Sequence, residues 1–273
     1  MSRRRALAAA AFLLLLAPLL MWALLSASND RRWSTEQSVL SYAEFSGHEV
    51  LIHGVRDFRW TSETAYAAAW EDRRYDLDQV GTAWYVLVPF SSAWRGPAHA
   101  FVSFGFDDGR YLSISVEARR EEGERYGVFK GILRRFELMY VVGDERDLIG
   151  RRAVYDHNDV FLYPVRAERA AVRRMFTDML ERATGLRAHP EWYNSFTNNC
   201  TLNVVRHVNA IAPGRIPPSW RIVFPGYSDE VAYRLGLIDS TGSLAATRAR
   251  YKINDRAAAA LDAPDFSARI REP

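Results

Sequence analysis

The 273-residue chain has one cysteine, Cys200, and it follows directly on Thr197-Asn198-Asn199. Thr and Asn side chains accept hydrogen bonds from unpaired backbone N–H groups, so they are residues that start helices. The sequence after Cys200 reads as a helix that Pro213-Gly214 brings to an end. Cys200 then falls in the first turn, where free N–H groups and the helix dipole favour negative charge. That setting lowers a thiol pKa and makes a nucleophile, whereas a lone cysteine elsewhere is usually a small buried apolar residue. The Cys200 N–H, together with the amide of Asn198 or Asn199, is the expected oxyanion support.

A thiol nucleophile needs a base, and histidine is the natural one. His207 lies two turns along the same helix, about 10 Å away, and is read as packing or capping. His189 precedes Pro190 in a loop and has no evident orienting partner. His99 has one. Residues 98–120 alternate with a two-residue period around Asp107-Asp108-Gly109, the pattern of a hairpin closed by a left-handed glycine. Pairing Phe106 with Arg110 sets Phe101 against Ser115 and His99 against Glu117. Directly opposed residues share a sheet face with Cβ atoms about 5 Å apart, so the hairpin predicts a His–carboxylate pair. Taken alone, such a pair is equally a surface ion pair. Joined to a cysteine at a helix start, it makes a papain-like triad in the order His–acid–Cys, with Cys200 as nucleophile, His99 as base and Glu117 as orienter.

These residues need a sheet and a central helix to hold them. Strand-like runs cover residues 39–45, 49–55, 83–90, 137–143 and 159–165, and residues 167–185 form an amphipathic helix with Val172, Met175, Met179 and Leu180 on one stripe and Gly185 as its cap. In the Cys200 helix, Leu202, Val204, Val205, Val208 and Ile211 surround most of the circumference, which predicts burial at the centre. The expected class is α+β, an antiparallel sheet packed on the helix that carries the cysteine at its N-terminus. The charged stretch 70–80 alternates Arg73 and Arg74 with acids and reads as ion pairs and caps, with neither a metal nor a cofactor called for.

Arg3, Arg4 and Arg5 precede an uncharged apolar run over residues 6–27. Its length predicts an uncleaved inner-membrane anchor in preference to a cleaved signal, with the arginines cytoplasmic and the rest exported. Lys+Arg number 36 and Asp+Glu 33, so setting those three arginines aside leaves 33 against 33. An electrically balanced exported part without a basic–aromatic block argues against nucleic-acid binding. One thiol cannot build a disulfide scaffold. The expected organisation is an anchor or signal segment at 1–29, a catalytic domain at 30–236 and a helical extension or tail at 237–273.

Four phrases carry a family resemblance: DFRWTSET…WEDRRYDLDQV, HAFVSFGFDDGRYLSISVEARREEGE, FELMYVVGDERDLI and YNSFTNNCT. In this order they resemble the Lnb-type N-terminal periplasmic domain family of bacterial envelope proteins. The resemblance implies a fold similar to circularly permuted NlpC-type papain-like domains, a nucleophile at Cys200 and a base at His99. It also implies a place in lipoprotein N-acylation, with a phospholipid or lipoprotein acyl donor and an amine acceptor, at the periplasmic face of the inner membrane. Three functions follow from these readings: a thiol acyltransferase, a cysteine amidase or peptidase acting on peptidoglycan or envelope peptides, and a non-catalytic envelope scaffold. An apolar groove at Cys200 favours the first and a polar open cleft the second.

Overall fold

The computed structural model describes residues 25–91 and 93–272. Ten strands build it: β1 (Tyr42–Ser46), β2 (Glu49–Arg56), β3 (Arg59–Trp60), β4 (Tyr66–Ala67), β5 (Trp70–Asp76), β6 (Val80–Pro89), β7 (Ala98–Phe106), β8 (Tyr111–Arg119), β9 (Glu137–Gly143) and β10 (Phe161–Pro164). Eight of them form one sheet in the order β1-β2-β9-β8-β7-β6-β10, with β5 also paired to β2. The helices are α1 (Val128–Ile132), α2 (Arg169–Ala188), α3 (Cys200–Ile211), α4 (Trp220–Val223), α5 (Ser228–Arg234), α6 (Leu244–Tyr251), α7 (Asn254–Ala260) and α8 (Phe266–Arg269). Residues Arg146–Tyr155 form a wide, π-type helix.

Every residue of β7 is buried. Because successive side chains alternate across a strand, such a strand is covered on both faces. Ala98, Ala100, Val102 and Phe104 join a core with α2 and α3 that includes Val172, Phe176, Met179, Cys200 and Val204. Phe101 points the other way, into a second core with Val86, Val88, Met139, Leu148, Ile253, Ala257 and Phe266. The chain after residue 237 thus folds back as the second helical layer. Its small alanines let α7 lie close, and Arg271 reaches the buried Glu145 carboxylate with Nη1 2.8 Å from Oε2.

This arrangement corrects the expected fold class. Helices cover both faces of the sheet, and β2 meets β9 in parallel at Arg56↔Gly143, so the architecture is mixed α/β and not an antiparallel sheet resting on one helix. Among the described residues, no helix is long and apolar enough to cross a membrane. Residues 1–24, most of the segment read as an anchor, lie outside the described residues. The tail could not be placed from sequence because Ala-rich, Arg-rich stretches carry little apolar periodicity. Helix α2 also continues beyond its expected cap, to Ala188, with the His189 N–H closing on the Gly185 carbonyl at 2.9 Å.

Helix α3 is buried along Cys200, Thr201, Asn203, Val204 and His207 and is not enclosed all round. Val205, Val208 and Ile211 face an apolar cavity of about 290 Å³ between α2, α3, α5 and the sheet, which leaves them half-buried.

Candidate active site

The β7–β8 hairpin has the register its sequence predicts, from Gly105↔Tyr111 to Phe101↔Ser115. Beyond that point the partners diverge. His99 continues its pairing with β6 at Val88, and Glu117 its pairing with β9 at Met139. The sheet opens between them, and a cleft of about 190 Å³ occupies the opening. Ala98 and His99 line it from β7, Val116, Glu117 and Ala118 from β8, and Cys200 from the start of α3. Cys200 comes from the core on one face and His99 from the opposite face, and the cleft at the split is lined by both.

His99 is 9% exposed and its Nε2 lies 2.7 Å from the Ser115 hydroxyl, against 3.8 Å from the nearer Glu117 oxygen. Ser115 in turn donates to Glu117 Oε1 at 3.0 Å. The same carboxylate accepts from Arg152 Nη2 at 3.0 Å and from Gln37 Nε2 at 3.1 Å. Glu117 is therefore in the site, one hydroxyl removed from the imidazole. Arg152 comes from the π-type helix, and such wide turns gather at functional positions.

The electrostatics fix the tautomer. Burial acts to raise the Glu117 carboxyl, but Arg152, His99, Arg56 and Gln37 outweigh it and hold it well below the usual carboxylate range. An ionised carboxylate only accepts, so the single Ser115 proton goes to Glu117. His99 must then donate to Ser115 through Nε2–H, which leaves the Nδ1 lone pair as the basic site. Burial, with help from Arg152, pushes the His99 pKa down to about 3, only partly opposed by Glu117. The imidazole is neutral at pH 7.

The thiol is also neutral. Burial pushes the Cys200 pKa up despite the Ala100 N–H and the Thr201 hydroxyl, which act the other way. The helix-start effect expected from sequence is present in the Thr201 and Cys200 backbone N–H groups but is smaller than the cost of desolvation. At rest the cleft holds a neutral thiol and a neutral imidazole, not a thiolate and an imidazolium.

Asn199 and Asn198 are committed elsewhere. Asn199 caps α3, accepting from the Leu202 N–H at 2.9 Å, and its amide donates to the Ser195 and Val223 carbonyls at 2.9 and 3.1 Å. Asn198 donates to the Trp192 carbonyl at 2.9 Å and accepts from Asn203 at 3.0 Å. Neither lines the Cys200 cleft. His207 is held between Asp178 and the Tyr140 hydroxyl at 2.6 and 2.8 Å, as befits a packing residue.

Sequence reasoning missed Ser115, Arg152, Gln37 and the Ala100 N–H. Ser115 was within reach of it: beside a directly opposed pair, the diagonal neighbour two residues on also lies within reach of a long side chain. The others had no sequence signal. In the stretch 70–80, Arg73 bonds Glu71 at 2.9 Å and reaches Asp144 at 3.4 Å, the ion pairing its alternation predicts.

The family described as Lnb N-terminal periplasmic domain matches residues 66–226, more than half of the chain, and the match spans both His99 and Cys200. No curated protein matches the chain, and no solved structure does.

Proposed function

Since the chain belongs to the Lnb N-terminal periplasmic domain family and so works in the periplasm, we propose that it is a thiol-dependent acyltransferase acting at the outer face of the inner membrane. The observation that carries this reading is the placement of Cys200 and His99 in one cleft, with the Ser115–Glu117–Arg152 chain behind the imidazole leaving Nδ1 free as a proton acceptor.

In this mechanism His99 Nδ1 takes the Cys200 proton as the sulfur attacks the ester carbonyl of an acyl donor. The burial that raises the thiol pKa makes this base assistance necessary. Negative charge then develops on the carbonyl oxygen, and backbone N–H groups at the α3 start and at Ala100 are the nearby donors for it. Collapse breaks the C–O bond, the imidazolium returns its proton to the departing alcohol, and an acyl thioester remains on Cys200. An amine attacks the thioester and loses its proton to His99. The restored thiolate departs and is reprotonated by the imidazolium, giving an amide and free enzyme. Glu117 stabilises the transient imidazolium through Ser115 and stays ionised throughout.

The character of the cleft favours a second reading, since the apolar cavity beside α3 does not include Cys200 and the cleft that does is the more polar of the two. Arg120, Arg152, Asp156 and Asn158 line it together with Cys200, and a polar wall of this kind fits a peptide amide, with water as acceptor.

Intact mass of the full chain after incubation with phospholipid vesicles separates the two. Acyl transfer requires a hydroxylamine-labile acyl adduct on the wild type and its absence from His99→Gln. A stable oxygen ester on Cys200→Ser would strengthen the assignment. No adduct from any phospholipid, with Cys200 labelled by a peptide electrophile, refutes transfer and supports the amidase.

A further inference from the structure

Large aromatic side chains stand exposed around the mouth of the cleft: Phe90, Trp94 (57% exposed), Tyr126, Phe129 (81%), Phe196 and Trp220 (53%). All but Phe129, which follows Val128 of an adjoining annex on α1, are linked to one another. Phe90 packs edge-on to Tyr126, with ring centroids 6.4 Å apart. Phe224 bridges Phe196 and Trp220 at 6.0 and 6.4 Å. Phe90 and Tyr126 line the Cys200 cleft and also a shallow aromatic annex shared with Trp94, Phe196 and Phe224. Soluble surfaces rarely expose so contiguous an apolar patch without using it.

The patch is held rigidly and carries positive charge. Helix α1 is fixed to the loop before α3 by the Ser195 hydroxyl on the Val128 carbonyl at 2.8 Å. A Cβ at Gly131 would fall 2.3 Å from that hydroxyl, so only glycine lets the helix lie this close. The clamp turns Phe129 outward. Residues 125–136 read RYGVFKGILRRF, with four basic residues and no acid, although Glu121, Glu122 and Glu124 precede them and Glu124 pairs with Arg135 at 3.2 Å. Lys130 is exposed, its ammonium 3.3 Å from the Arg125 carbonyl.

The described chain begins at the same edge. Trp192 donates to the Leu25 carbonyl at 3.2 Å, four residues before Phe196 in one loop. Residues 6–24, which precede this point, carry no charge and are apolar in sequence.

We infer that this collar docks on the surface of an anionic phospholipid bilayer and presents the Cys200 cleft to it. The inference rests on the acyl-donor reading above and names the surface from which the donor is drawn. Indole and phenyl rings settle at the headgroup boundary, and the cations of residues 125–136 complement anionic headgroups. A protein partner is the poorer fit, because the apolar residues 6–24 precede Leu25, whose carbonyl is held by Trp192 at this same edge.

The test uses the full chain in a Cys200→Ser background, reconstituted in vesicles of equimolar phosphatidylglycerol and phosphatidylcholine. Nitroxide labels are placed through Phe129→Cys, Trp220→Cys and, as control, Asp108→Cys at the hairpin tip, the far end of β7 from His99. Docking requires that labels at 129 and 220 collide several-fold more with oxygen than with a water-soluble nickel chelate, while the label at 108 shows the reverse. It also requires that this preference fall at least threefold in pure phosphatidylcholine vesicles or with Lys130→Glu and Arg135→Glu. Water-type accessibility at 129 and 220, or a preference indifferent to lipid charge, overturns the inference. Because the labelled protein lacks the thiol, this result is independent of whether an acyl-enzyme forms.

Discussion

At the residue scale, His99 is a base kept neutral by its surroundings. Its pKa lies near 3 in the folded chain against about 6.5 in an unfolded one. A histidine lowered in this way favours the folded state above pH 6.5 and takes that contribution away as pH falls through 6.5 toward 3, because only the unfolded chain binds the proton there. Glu117, also lowered, acts in the same sense at more acid pH. We therefore expect His99→Gln to remove up to one proton from the linkage between pH 6 and 5, flattening the slope of unfolding free energy there by as much as about 1.4 kcal/mol per pH unit. Urea unfolding at several pH values measures this, and an unchanged slope would place the His99 pKa near its ordinary value. The raised thiol makes a companion prediction: alkylation of Cys200 by iodoacetamide should keep accelerating above pH 9, where a thiolate–imidazolium pair would already have levelled off.

At the scale of elements, the hairpin was legible in the sequence because alternation and Gly109 fix its register, and a fixed register places every side chain on a face. That is why His99 and Glu117 could be set on one face in advance, although the strands part beyond Phe101↔Ser115 and Ser115 bridges the two. The π-type helix was not legible, since a ten-residue wide helix has no apolar period of its own, yet it delivers Arg152 into the site. The antiparallel sheet packed on one helix was an expectation the structure does not meet, because helices of the C-terminal chain cover its second face; most of the expected anchor lies outside the described residues. Arg152 and Glu117 are both largely buried, with side chains 14% and 12% exposed. Losing one partner strands the other, so Arg152→Met should cost about 3–5 kcal/mol at pH 7, and adding Glu117→Gln should recover much of it. Denaturant titration of the single and double variants decides the matter: equal losses would show that the two groups do not depend on one another.

At the scale of the whole molecule, the split in the sheet gives the two reacting groups separate foundations. Cys200 is anchored in the core formed with α2 and α3, while the imidazole stands on the side backed by the chain after residue 237. The proposed catalytic geometry is thus a joint between two packed layers, and its alignment is more fragile than either. Heating should detach the C-terminal layer and release Arg271 from Glu145 while the first core still holds, abolishing the proposed acyl transfer before the sheet melts. An inactivation midpoint several degrees below the calorimetric one would reveal that weakness, and coincident midpoints would show the two faces yielding as one. A cell could exploit such a joint, since any contact that stiffens or loosens the C-terminal layer would act as a throttle on a thiol it never touches.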